Sequence, residues 1–147
     1  MTKEREAMEP TLELTDAPSE ADKALIQTGL IAYNDAMTGI ADRRPLAVLV
    51  RDPASGRVVG GLTGRSSLGL LFIDIVFLPE SVRRGGIGRK MLAMAEEEGR
   101  RRGCTNVMLF TITFQAPDFY RKCGYREFGR IACNPPGTAR VFFTKAL

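Results

Sequence analysis

The sequence predicts a mixed α/β domain, because the spacing of its apolar residues alternates between helical and strand periods. Helical spacing occurs over residues 19–36 and 87–102, whereas short β-branched runs bounded by Gly, Pro and Asp are typical of strands. The predicted order is one strand, a helix, three strands, a helix, a strand, a short helix and two strands. With 147 residues, 44% of them apolar, the chain can bury a core but is short for two domains. We therefore expect a single domain over residues 1–147.

The N-terminal part is predicted to contain one strand and one helix. Weak alternation favours a strand at residues 11–15. Ser19 is a favourable residue for a helix start, with acidic residues following it, and the helix is expected to end near Asn34. Pro45 prevents any continuation, so residues 34–45 are predicted to be a connection.

The middle of the chain is predicted to form three strands and a helix. Residues 46–50 and 58–62 surround a turn rich in Pro, Ser and Gly, which favours a hairpin, and residues 68–78 form a third extended run. The next helix is expected from about residue 87 to 102, with one apolar face made of Ile87, Met91, Leu92, Ala95 and Gly99.

The C-terminal part is predicted to be strand, short helix and two strands. Residues 106–113 are apolar and β-prone, and residues 117–122 form a short helix ended by Gly124. Two strands, 125–131 and 139–145, are expected around the turn at residues 135–137.

Composition excludes several classes of function. The sequence has no histidine, so the usual general base and the commonest metal ligand are missing. Cys104, Cys123 and Cys133 form neither a CxxC pair nor an even set, which argues against a disulfide framework and a zinc site, and we expect them to be reduced and buried. No apolar run reaches the ~20 residues of a membrane span, and the charged opening segment does not resemble a secretory signal. The expected location is the cytoplasm.

The junction before the second long helix places cations where a helix begins. A helix N-terminus already carries partial positive charge, so Arg83, Arg84, Arg89 and Lys90 indicate a negative ligand there. The net charge of +4 and pI near 9.2 are compatible with a phosphate-bearing ligand. Glycines in this segment would let such a ligand approach free backbone amides: Gly85, Gly86 and Gly88. The spacing fits neither a P-loop nor a dinucleotide-binding fingerprint.

The segment does match RxxGxG, from Arg83 to Gly88, directly after a strand that ends in a proline. A second match follows the next strand, where Ala116 precedes Tyr120 by four positions and Gly124-Tyr125 comes after. With these two motifs the chain resembles the GNAT superfamily of N-acetyltransferases, including its small bacterial members. The resemblance implies a mixed, mostly antiparallel sheet of about six or seven strands flanked by helices and splayed at the acetyl-CoA site. It also implies transfer of an acetyl group from acetyl-CoA to an amine, without a metal.

The resemblance also implies which residues hold acetyl-CoA. The loop and helix start would wrap the pyrophosphate, through Arg83, Arg84, Gly85, Gly86, Ile87, Gly88 and Arg89. Backbone groups of Ile75, Val76 and Phe77 would lie beside the pantetheine arm, and one of their amides could bond the thioester carbonyl. Many members have an asparagine where this chain has Thr113. Either Thr113 or Gln115 could replace that contact.

Two residues are candidates for proton transfer. Tyr120 is the candidate general acid, because a phenol with a pKa near ~10 stays protonated at neutral pH. Asp74 interrupts an apolar strand and is the candidate general base. Alternatively, Asp74 faces outward or pairs with an arginine, and water takes the proton from the amine; Glu80 is a weaker candidate.

Several alternatives stay open. The acceptor is a primary amine on a small molecule or a protein, and a non-catalytic domain that binds or senses acyl-CoA is the alternative function. Nucleic acid and membranes are not expected as partners, whereas a homodimer is possible because many members of the superfamily dimerise. The run EEEGRRR at residues 96–102 is predicted to be a solvated helix face with i,i+4 pairs.

Overall fold

The computed structural model describes residues 8–147, which fall into two compact units. The first unit is Met1–Ala41, described from residue 8 onward, and the second is Asp42–Leu147. No helix among residues 8–147 has the length and apolar character needed to cross a membrane.

The first unit contains one helix, α1 (Glu20–Thr38). Its start is as predicted, because the Ser19 hydroxyl caps it by accepting the amide of Asp22. The predicted end near Asn34 was wrong: the helix continues to Thr38 and stops at Gly39, whose φ of 69° is left-handed and suits glycine. The predicted strand at residues 11–15 was also wrong, because a strand requires a hydrogen-bonded neighbour and this segment has none in the described part of the chain.

The second unit is a six-stranded sheet with two helices. The strands are β1 (Arg44–Arg51), β2 (Val58–Ser67), β3 (Leu70–Phe77), β4 (Asn106–Ile112), β5 (Arg126–Cys133) and β6 (Thr138–Ala146), and the helices are α2 (Ile87–Arg101) and α3 (Pro117–Lys122). Their spatial order is β1-β2-β3-β4-β6-β5, with every pair antiparallel except β3 and β4. The predicted mixed, mostly antiparallel sheet is confirmed.

The core lies between the sheet and α2. Inward side chains of three central strands are fully buried, among them Leu71, Val107 and Phe143, and they pack with the apolar face of α2. That face was predicted correctly apart from Ile87, which is half-buried. Cys104 is buried as expected, whereas the other two cysteines are half-buried, and all three are free.

Two irregularities of β3 shape the region beside α2. Thr63 pairs with Ile75 and Gly64 pairs with Ile73, so Asp74 is the extra residue of a β-bulge. On its other edge, β3 pairs with β4 only from Leu70 to Phe72. Beyond Phe72 the two strands are unpaired, and the sheet is splayed as predicted.

Candidate active site

A cleft of about 710 Å³ opens at the splayed part of the sheet. The end of β3, the start of α2 and the turn leading into α3 all contribute side chains to it. Seven of the predicted ligand residues and the candidate acid line it, namely Val76, Phe77, Arg83, Gly86, Gly88, Arg89, Gln115 and Tyr120. The other predicted site residues lie nearby in sequence but are not part of its lining: Asp74, Ile75, Arg84, Gly85, Ile87 and Thr113.

The loop before α2 and the first turn of that helix line part of this cleft. Gly85 and Gly86 have φ values of 86° and 75°, a left-handed conformation that glycine adopts without strain. Gly86 is the N-cap of α2 and has no side chain to bond the first amides of the helix. Arg83 donates from Nε to the carbonyl of Leu78 at 2.9 Å, which holds the loop against the end of β3. The start of α2, which no side chain caps, and two arginines of this region, Arg83 and Arg89, therefore lie at the cleft.

Tyr120 lies on α3 with only 6% of its surface exposed. Its ring is packed edge-on against Phe119 and Tyr125, with centroid distances of 5.2 Å and 5.9 Å. Burial raises the pKa of Tyr120 to about 12. We find no protein hydrogen bond to its hydroxyl within residues 8–147, and Tyr120 lines the cleft.

Thr113 and Gln115 have different surroundings. The Thr113 hydroxyl accepts the Ala139 amide at 3.2 Å, which ties the end of β4 to β6. The Gln115 Oε1 accepts the Ile112 amide at 2.8 Å and the Thr111 hydroxyl at 3.0 Å. Because these donors fix the oxygen, the side-chain NH₂ of Gln115 is left to donate, and Gln115 lines the cleft.

Asp74 projects from the bulge of β3 with its side chain 45% exposed. Its carboxylate accepts from Arg65 Nη1 at 2.7 Å, and the Arg65 guanidinium also lies over the Phe72 ring. Asp74 is thus in an exposed pair with an arginine, which is one of the predicted alternatives. Glu80 lies in a short 3-10 turn after β3 and is exposed.

Sequence reasoning missed three features of this region. Phe114 and Lys122 line the cleft, and only their position next to matched motif residues could have indicated it. Glu96 was expected on a solvated face, but it is buried at 5% exposure and bonds Lys145 and Tyr125. Arg102 also departs from the prediction, because its side chain is 12% exposed and donates to the carbonyls of Arg44 and Pro45. Exposed residues of the run agree with the prediction, namely Glu97, Arg100 and Arg101, although two of the pairs are i,i+3 rather than i,i+4.

Metal-binding side chains do not gather in this region or elsewhere in residues 8–147. In that part of the chain, no group of three or more His, Cys, Asp and Glu side chains is placed to hold a metal ion.

Comparison with known proteins assigns the chain and its fold to a family. The model of the acetyltransferase (GNAT) family matches residues 11–125. The chain belongs to the GNAT family. Its six-stranded, mostly antiparallel sheet is that of the GNAT fold, and this family uses acetyl-CoA as the acyl donor.

Individual relatives agree with this assignment. An acetyltransferase of Agrobacterium fabrum, Atu2258, is 40% identical over 129 residues, 88% of this chain and 93% of that protein. A blasticidin-S acetyltransferase of Streptomyces morookaense is 33% identical over 113 residues, 75% of this chain and 83% of that protein. A crystal structure of an acetyltransferase from Agrobacterium tumefaciens has a TM-score of 0.86 at 33% identity, covering 94% of this chain and all of that chain. This GNAT chain is an acyltransferase enzyme.

Proposed function

We propose that this GNAT enzyme transfers the acetyl group of acetyl-CoA to a primary amine of a small molecule by direct attack. The observation that carries the proposal is the cleft, which Arg83, Arg89 and the glycines at the start of α2 line together with Tyr120. The cleft could therefore bind an anion and protonate a leaving group at the same time.

The loop residues fit the pyrophosphate of coenzyme A. The first amides of α2 are uncapped by any side chain, and the left-handed Gly85 and Gly86 turn the backbone so that they stay accessible. Arg83, Arg84 and Arg89 add positive charge beside them. When bound, acetyl-CoA supplies an activated acetyl thioester.

The unpaired edge of β3 fits the pantetheine arm. Ile75, Val76 and Phe77 have no β4 partner, so amides and carbonyls on that edge can bond a ligand as an added strand would. An amide there would stabilise negative charge on the thioester oxygen during attack. We propose that the Gln115 side-chain NH₂, rather than the Thr113 hydroxyl, makes the contact that asparagine makes in other members.

Tyr120 is proposed as the general acid. The amine nitrogen forms the new C–N bond, the C–S bond breaks, and the departing sulfur takes the phenolic proton of Tyr120. A proton from the amine, passed through water, restores the phenol. Because burial raises the pKa of Tyr120 to about 12, the donor form persists throughout the physiological pH range.

Water is proposed to remove the proton from the amine, with Asp74 kept as the competing candidate. The Asp74 carboxylate is already held by Arg65 at 2.7 Å and does not line the cleft. A proton acceptor must reach the amine directly or through one water, and the exposed mouth of the cleft gives water that access.

Three further properties belong to the same proposal. The family match spans residues 11–125 and so includes sequence from both units, which supports one GNAT domain. Free cysteines suit a reducing compartment, which supports the cytoplasm. The small-molecule acceptor is supported by the blasticidin-S acetyltransferase among the relatives.

A spectrophotometric assay of thiol release from acetyl-CoA tests the function. The panel contains blasticidin S, a polyamine, an aminoglycoside and a lysine peptide. We expect turnover with a small-molecule amine and none with the peptide. Turnover of the peptide alone would contradict the acceptor class, and failure of coenzyme A to raise the melting temperature would contradict the whole proposal.

Matched arginine variants test the loop. Replacing Arg83 or Arg89 by Ala is expected to raise the Kd for coenzyme A by about tenfold or more at low salt, since each loses one charged contact with phosphate. Arg57→Ala, in the exposed turn between β1 and β2, removes the same charge and is expected to leave the Kd unchanged. Equal Kd values for all three variants would contradict the assignment of the loop.

A further inference from the structure

A charged pair made of one buried and one half-buried side chain lies behind the wall of the cleft. Glu96 of α2 and Lys145 of β6 have side chains only 7% and 25% exposed, and Lys145 Nζ donates to Glu96 Oε1 at 2.7 Å. The second carboxylate oxygen of Glu96 accepts the Tyr125 hydroxyl at 2.9 Å. None of the proposed roles in binding or proton transfer uses this cluster.

The pair is connected to the end of α3. Lys145 Nζ also donates to the carbonyl of Cys123, the C-cap of α3, at 2.9 Å. The ring of Tyr125 contacts the ring of Tyr120 edge-on at 5.9 Å, and Lys145 Nζ lies 5.5 Å from the same Tyr125 ring. Both the backbone after Tyr120 and the ring beside it are thus fixed by one ion pair.

The chain between these contacts depends on them. The Tyr120 carbonyl accepts the amides of Cys123 and Tyr125 at 3.1 Å and 3.0 Å, so a shift of either residue moves Tyr120. With six residues, α3 is too short to be stable without tertiary contacts. An added Cβ at Gly124 would lie 3.4 Å from Lys145 Cε, which shows how closely the lysine stem follows this turn.

Stability alone does not explain a buried ion pair here. Two apolar side chains of similar volume often stabilise a protein as much as a buried ion pair or more, because charged groups lose their hydration on burial. An ion pair with several hydrogen bonds instead fixes the positions of the groups that it joins. Lys145 reaches a carboxylate and a carbonyl at once, and an apolar side chain could hold neither in place.

We propose that Lys145 is a positioning residue: with Glu96 and Tyr125 it fixes the C-terminal end of α3 and thereby sets where the Tyr120 hydroxyl lies in the cleft. The inference rests on the proposed role of Tyr120 as general acid. Small displacements of a reacting group are costly, since a shift of ~1 Å can lower a rate by about 10²-fold.

A double-mutant cycle of Lys145→Met and Tyr120→Phe tests this coupling. With the best amine of the panel, we expect Lys145→Met to lower kcat about tenfold or more when Tyr120 is present and less than twofold when it is Phe. The Kd for coenzyme A is expected to change less than twofold, because Lys145 does not line the cleft. Equal losses of kcat in both backgrounds, or no loss in either, would overturn the inference.

The double variant Glu96→Leu with Lys145→Met separates positioning from stability. Removing both charges should recover part of the melting temperature lost in Lys145→Met alone, since no unpaired buried charge is left, although the Tyr125 hydroxyl loses its acceptor. We expect kcat to stay low, because the Cys123 carbonyl still lacks Lys145 and the Tyr125 hydroxyl has now lost Glu96. Recovery of kcat together with the melting temperature would mean that the pair is only structural.

A spectroscopic measurement covers the remaining outcomes. The chain has three tyrosines, so ¹³C-labelled tyrosine gives three ring signals that single Phe variants assign. Lys145→Met is expected to shift the Tyr120 signal, and an unmoved signal would overturn the inference. If Lys145→Met does not fold, Tyr125→Phe takes its place in the cycle. If Tyr120→Phe alone leaves kcat unchanged, the proposed general acid fails, and the NMR shift still decides the positioning.

Discussion

Two neighbouring tyrosines should respond in opposite ways to removal of a hydroxyl. Tyr120 and Tyr125 are similarly buried, at 6% and 4% exposure, and their rings are in contact. The Tyr125 hydroxyl donates to the Glu96 carboxylate, whereas no protein partner of the Tyr120 hydroxyl is found in residues 8–147. Replacing Tyr125 by Phe therefore removes one structural hydrogen bond, and replacing Tyr120 by Phe removes none.

The magnitudes follow from these contacts. A hydrogen bond to a charged group contributes about 1.5–3 kcal/mol, so Tyr125→Phe should lower the free energy of unfolding by that amount. Tyr120→Phe should change it by less than about 0.5 kcal/mol. As general acid, however, Tyr120 should contribute about 10²-fold or more to kcat.

Urea unfolding and steady-state kinetics measure the two quantities on the same samples. With a slope of about 1–3 kcal/mol per molar urea, Tyr125→Phe should lower the midpoint by roughly 1 M while that of Tyr120→Phe stays in place. The kcat values should show the larger loss for Tyr120→Phe. The reasoning is refuted if Tyr120→Phe loses as much stability as Tyr125→Phe, or keeps its full kcat.

Three further outcomes are expected. Burial raises the pKa of Tyr120 to about 12, and burial together with the smaller effect of the Glu96 charge raises the pKa of Tyr125. Because both pKa values exceed the unfolded value of ~10, the two protonated tyrosines contribute their full stabilisation below pH ~10. The urea midpoint should therefore fall as the pH rises towards ~12. Gly61→Ala should lower the urea midpoint more than Gly86→Ala, because a Cβ at position 61 would collide with the Val48 carbonyl of β1, whereas a Cβ at position 86 meets nothing within 4 Å. Equal midpoints would contradict the close packing of β1 and β2 at Gly61. Asp74→Asn should lower kcat less than about tenfold, and a loss of ~10²-fold or more would instead assign Asp74 as the base.

Local patterns in the sequence were enough for most of the fold. The apolar face of α2, the short helix α3 and the hairpin of β1 and β2 all depend on spacings of a few residues, and each formed at the expected place, although β2 continues to Ser67 beyond its predicted end at residue 62. The predicted end of α1 was wrong because asparagine is tolerated inside a helix, and Asn34 lies within this one. The glycine five positions later was the better signal, since its left-handed φ ends the helix.

Contacts between distant residues could not be predicted in the same way. Glu96 has a suitable arginine four positions later, yet its partner is Lys145, 49 residues away on another element. Burial of the Asp74 carboxylate in an apolar strand looked costly, but a bulge exposes this side chain and an arginine on the neighbouring strand pairs with it. Both features depend on strand register, which the sequence does not show. The loop glycines were recognisable because their signal lies within six consecutive residues.

Because β3 pairs with β4 over only three residues, the rest of that edge of β3 is left unpaired and could bond a substrate. Acetyl-CoA lying against the unpaired edge of β3 would supply hydrogen-bond partners for backbone groups that have none in β4. Affinity and resistance to unfolding would then be linked quantities, and those amides between Ile75 and Phe77 that face the open edge should exchange with solvent more slowly as the site fills.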